Sequence, residues 1–151
     1  MKQLLLQSIA CCAVLLPFSQ AQAKTYGDFA PGKTFTYTVD QVISVKAVGF
    51  STAVKAAIPA DVPKLRKGQR VKFTIGARGQ LTATGLSIPF KSDGGSANVY
   101  SKVTVGLTTK ADTGEVFKNL QNKPTGVVLN FVRTKYAGFS STVNTVTYTF
   151  K

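Results

Sequence analysis

Histidine and tryptophan are absent from this chain, cysteine occurs only at Cys11 and Cys12, and Met1 is the sole methionine. Without histidine there is no Ser-His-Asp or Cys-His hydrolase, no HExxH zinc site and no imidazole acid–base chemistry. Acidic residues are scarce as well: Asp28, Asp40, Asp61, Asp93, Asp112 and Glu115 are the whole set. A glycoside hydrolase needs two carboxyl groups facing each other across a cleft. Only Asp112 and Glu115 are near each other in sequence, and Asp112-Thr113-Gly114 reads as a turn, where carboxylates are solvated. Asp93-Gly94-Gly95 lacks the alternating oxygen ligands of a calcium loop. The GxxxxGK phosphate cradle is missing, and no spacing singles out a Ser-Lys dyad. These absences lead us to expect no enzymatic activity, no cofactor and no metal.

What is present begins with a targeting segment. Lys2 supplies a positive start, Leu4 to Phe18 is mostly apolar, and Ala21-Gln22-Ala23 is a small-x-small cleavage site. This is the order of a secretory signal peptide, so residues 1–23 are expected to be removed after Ala23 and the protein to be periplasmic or secreted. Ser8-Ile9-Ala10 before the cysteines fits a lipid-attachment box poorly. Cleavage would take both cysteines away, leaving residues 24–151 as a β-rich domain without a disulfide, large enough to bury a core. No second apolar run is long enough for a transmembrane helix.

The remaining chain alternates with a period of two. Phe35, Tyr37 and Val39 interleave with Thr34, Thr36 and Thr38, and the same texture recurs at residues 71–75, 99–107 and 143–150. β-branched and aromatic residues at this period predict strands. Val127 to Val132 is nearly continuously apolar, which predicts a central strand buried on both faces. Gly76-Ala77-Arg78-Gly79, Asp93-Gly94-Gly95, Asp112-Thr113-Gly114 and Lys123-Pro124-Thr125-Gly126 are the expected turns. Ser51 offers a cap for one short helix over residues 52–58, closed by Pro59. The predicted fold is all-β, an antiparallel β-sandwich or small β-barrel of about seven to eight strands with at most that one helix.

One register can be argued. A five-residue loop at 76–80 sets Ile75 opposite Leu81, Phe73 opposite Ala83 and Val71 opposite Gly85; a four-residue loop would turn every side chain to the wrong face. The outer face of this hairpin then carries Arg70, Lys72 and Thr74, opposite Leu86, Thr84 and Thr82.

The formal net charge is +13, and only Lys2 of the basic residues lies in the leader. Such a balance attracts anions. The densest stretch is PKLRKGQRVKF, residues 63–73, which holds five basic side chains in nine positions, and no acidic residue occurs between Asp61 and Asp93. Lys64, Arg66, Lys67, Arg70, Lys72 and Arg78 are therefore the candidate polyanion-binding residues. Arg70 and Lys72 would repeat about 6.7 Å apart on one strand face, and arginine presents a planar fork to phosphate or sulfate. The competing reading is a lysine-rich strand face that prevents edge-to-edge aggregation. Nucleic acid would want aromatic platforms beside the charge; Phe73 points inward by the alternation, so nucleic acid ranks below envelope lipid phosphates or an acidic glycan. Arg133 and Lys135, with Tyr136 and Phe139, form a second basic pair that would rim the same surface.

The functional expectation is a non-enzymatic binding protein for an anionic polymer or envelope surface. The alternatives are a protein-binding module or inhibitor that uses a sheet edge, and a small outer-membrane β-barrel, for which the alternating end Val146 to Phe150 is the signal.

Overall fold

A computed structural model of the protein describes residues 25–26, 29–91 and 97–151. The expected leader, its cleavage site and the Asp93-Gly94-Gly95 turn lie outside the described residues. The strands are β1 (Thr34–Val48), β2 (Val54–Lys55), β3 (Arg70–Ile75), β4 (Gln80–Ala83), β5 (Leu86–Pro89), β6 (Asn98–Val105), β7 (Thr108–Lys118), β8 (Pro124–Ala137) and β9 (Ser140–Phe150). Among the described residues there is no helix. All strand pairs are antiparallel, in the order β5-β4-β3-β1-β9-β8-β7-β6, with β2 attached to β1. A bridge between Phe90 and Val99 brings the two ends together, so the sheet is a nearly closed barrel.

The ladders across β1, β9, β8, β7 and β6 share one register, and the inner face can be read in rows. Val39, Phe150, Val127 and Val116 form the lowest row. Above it come Val42, Tyr148, Leu129, Gly114 and Val99, then Ser44, Val146, Phe131, Asp112 and Ser101. The fourth row is Lys46, Asn144, Arg133, Lys110 and Val103, and the last is Val48, Thr142, Lys135, Thr108 and Val105. The apolar rows are completed into a barrel by β3, β4 and β5, whose Val71, Phe73, Ile75, Leu81 and Ile88 are buried against them. Phe73 meets Phe150 edge-on at 5.0 Å and stacks on Phe35 at 5.6 Å. Gly114 lets two strands close in: a Cβ there would lie 2.5 Å from the Val128 carbonyl oxygen and 2.6 Å from Leu129.

The upper rows have no such completion. Beyond Val39 a bulge resets β1, and its second edge carries only β2, through Val45–Lys55 and Lys46–Val54. The five long strands continue there as an open sheet. The chain between β2 and β3 crosses the mouth of the barrel: Val62 is buried in the core and Tyr148 donates its hydroxyl hydrogen to the Pro63 carbonyl.

The structure departs from the sequence reading in several places. Residues 52–58 form no helix; the Ser51 hydroxyl accepts from the Val48 amide at 3.0 Å and closes a turn instead. Asp112-Thr113-Gly114 lies inside β7, paired on both sides. Residues 127–132 are an interior strand, but only Val127, Leu129 and Phe131 are buried, while Val128 and Val132 stand half-exposed on the outer face. Ile75 does face Leu81 and Thr74 faces Thr82. The pairing stops there, because β4 turns back at Thr84-Gly85 and Ala83 pairs with Leu86; Gly85 supplies the left-handed φ of 72°. Val71 therefore has no partner at Gly85, nor Arg70 at Leu86.

Candidate functional site

The six basic residues singled out by the sequence do not form one surface. Arg70 and Lys72 are exposed on the outer face of β3, beside Thr38 and Thr36 of β1. Lys64, Arg66 and Lys67 belong to the segment that crosses the barrel mouth, with the Arg66 amide bonded to the Gln69 side chain at 3.1 Å. Lys67 approaches Asp40, whose carboxyl lies below the usual range because Lys151 hydrogen-bonds it, at 2.7 Å, against a smaller opposing effect of burial. The Lys151 backbone pairs with Thr38, so Lys151 extends the outer row that begins at Arg70. Arg78 sits in the turn after β3, about 17 Å or more along the strand from Arg70, and is not part of this group. The compact set is Lys67, Arg70, Lys72 and Lys151, with Asp40 engaged by Lys151.

The second expected basic pair separates too. Arg133 points inward and is 9% exposed. Its Nε donates to Asp61 at 2.8 Å and its Nη1 to Asp112 at 2.6 Å, while Lys110 reaches Asp61 at 2.9 Å. Burial alone would raise the Asp61 carboxyl, but hydrogen bonds from Lys110 and Arg133 outweigh it and hold it below its ordinary value of 3.8. Asp61 comes from the mouth segment, Arg133 from β8, and Asp112 and Lys110 from β7. The cluster thus ties the crossing segment down and roofs the apolar rows. It leaves Asp112 and Glu115 on opposite faces of β7, since they are three residues apart on a strand. They cannot converge on one substrate. Among the described residues no group of histidine, cysteine, aspartate or glutamate side chains could hold a metal ion.

A third feature escaped sequence reasoning. The β1–β2 connection opens with Gly49-Phe50, the β6–β7 loop is Gly106-Leu107 and the β8–β9 loop is Gly138-Phe139. In each, glycine takes a left-handed φ of 54–56° and a large apolar residue follows. All three turns lie at the same end, just past the row Val48–Thr142–Lys135–Thr108–Val105. The Gly49 amide bonds Ser141 and the Tyr136 amide bonds Leu107, which fixes the turns side by side. Phe50 and Phe139 are fully exposed, Leu107 and Val105 largely so and Tyr136 about half. The sequence signal was the repeated glycine–apolar pair, which polar turn rules pass over.

Compared with protein-family models, curated proteins and solved structures, the chain matches none. Among the described residues no helix is long and apolar enough to cross a membrane.

Proposed function

We propose that this is an exported, non-enzymatic binding protein that engages an anionic polymer, an envelope lipid phosphate array or an acidic glycan, through the outer face of β3. The observation that carries this reading is the row of exposed cations at Arg70 and Lys72, set among threonines, with no ion pair to either residue among the described ones. Lys67 and Lys151 extend it. Binding of this kind is electrostatic and weakens as salt screens it. Asp61 and Asp112 both serve as acceptors for Arg133, and the pocket that Glu115 lines holds no second carboxylate among the described residues, which supports a binding role over acid–base catalysis.

A sheet-edge partner is the second reading, favoured by one observation: residues 70–73 of β3 have no strand partner on the side of β4. An outer-membrane barrel fits less well. The outer faces of β1, β8 and β9 interleave Ile43, Val45, Val128 and Val132 with Thr36, Thr38, Asn130, Thr145, Thr147 and Thr149, where a lipid-facing band would be apolar throughout.

The test is retention on a soluble acidic polysaccharide at low and physiological salt. Arg70→Ser with Lys72→Ser is compared with an equal charge removal at Lys91 and Lys123. Lys110 is unsuited as a control because it is bonded to Asp61. The reading expects steep salt dependence and a selective loss in the β3 variant; equal loss in both would reduce the effect to net charge.

A further inference from the structure

We propose that the open end of the sheet docks on an anionic phospholipid bilayer, with the three glycine–apolar turns entering the boundary between headgroups and acyl chains. This surface lies at the other end of β1 from the β3 row and does not depend on the polyanion reading.

The argument starts from where apolar residues have no reason to be. Two-residue hairpin loops are normally polar, because they project into water. Here Phe50, Leu107 and Phe139 occupy three separate turns, and the register brings all three to one edge. Five strands side by side span about 19 Å. The β8–β9 hairpin runs past the last common row by Tyr136–Ser141 and Ala137–Ser140, so Phe139 stands about 7 Å above it. The result is a set of projecting knobs. Exposed apolar clusters on this scale mark interaction sites. The turns project past the open groove that Val103, Val105 and Thr108 line on the inner face, and a bilayer accommodates projecting aromatics at its interface.

The charge around the tip selects the membrane. Lys46 and Lys135 stand on the inner face, and Lys55 and Lys102 on the outer, all within three residues of the last common row. Of the carboxylates described, only Asp61 and Asp112 are near this end, and both are engaged by Arg133. Apolar side chains ringed by unopposed lysines match an anionic lipid surface, where each lysine near the headgroups contributes attraction that salt reduces.

The absence of tryptophan makes the test direct. Two single-tryptophan variants, Phe139→Trp at the tip and Leu120→Trp in the exposed β7–β8 turn at the far end, are purified after export. They are mixed with vesicles of equal parts phosphatidylglycerol and phosphatidylcholine, or of phosphatidylcholine alone. The expected result is a blue shift of emission, and quenching by brominated acyl chains, for Trp at 139 on anionic vesicles only. Phe50→Ser with Leu107→Ser in the Phe139→Trp background should weaken vesicle affinity by about tenfold or more, given the apolar area removed from the interface. Lys46→Ser with Lys135→Ser should weaken it by about tenfold at low salt. No shift at 139, or equal shifts at 139 and 120, overturns the proposal. So does a lipid-independent blue shift that grows with protein concentration, which would make the tip a contact between copies of this chain.

Discussion

The two ends of the long strands solve the same problem differently. In the lower rows the inner face is aliphatic and aromatic, and three further strands close over it. In the upper rows the same strands carry Lys46, Asn144, Arg133 and Lys110 inward, and the crossing segment reaches only Arg133 and Lys110, through Asp61. A sheet must bury one face against something. Where that face is apolar, another layer is required; where it is charged, ion pairs and water serve, and the strands can run out as an open platform. Closure here follows the composition of the rows, not the length of the strands.

The largest break should come from emptying the closed part. Phe73→Ala removes a fully buried ring between Phe35 and Phe150 and should cost about 3–5 kcal/mol in urea denaturation. The matched change in the open part, Phe139→Ala, should stay within about 0.5 kcal/mol. Comparable losses would mean that the tip is packed. Next in size is the boundary between the regions. Gly114→Ala would press a Cβ against the Val128 carbonyl and Leu129, and a midpoint shift worth about 2 kcal/mol is expected in the same assay. No loss would show that β7 and β8 can move apart, and that the close approach does not set the barrel's width.

The roof of the barrel should respond to acid. Asp61 sits below its ordinary value of 3.8 in the folded protein, so its stabilisation is present above that value and is lost as the pH falls through the lower, folded one. Asp61→Asn should therefore cost about 1 kcal/mol near neutrality, and the gap between the variant and the parent should close below about pH 3.8. A gap that persists at lower pH would assign the loss to packing and not to the carboxylate. The smallest effect is expected outside both regions' interiors: Arg70→Ser with Lys72→Ser should change thermal stability by under about 0.5 kcal/mol per site. A larger loss would show that these side chains hold the β1–β3 ladder, and would weaken their assignment to a ligand.

Much of the fold was legible. Threonine–apolar alternation marked β1, β3, β6 and β9, and face matching set Ile75 against Leu81. The middle of β7 was not, because Asp112-Thr113-Gly114 has turn composition; pairing with β6 and β8 on both edges overrides that local preference. The candidate site was legible only as charge. Arg70 and Lys72 face out together as the period of two requires, but Arg78, Lys64 and Arg66 were grouped with them by proximity in sequence alone. Arg133 read as an exposed cation until its partner appeared 72 residues away. Leu107 read as the end of an alternating stretch and Phe139 as company for a basic pair, Phe50 was not singled out, and only the register joins them.

The sequence by itself determined that the chain is β-rich, that its strands carry an apolar face over part of their length, and that histidine and tryptophan play no part in its chemistry. Those properties are local: a period of two, a composition, an absence. The tertiary structure alone decided that eight strands nearly close into a barrel, that the charged rows are tied by Asp61 and Arg133, and that three distant glycine–apolar turns meet at one end. Each of these depends on which residue of one strand lies beside which residue of another. Ladder hydrogen bonds are much alike from pair to pair, so the choice rests on how all the buried faces fit at once.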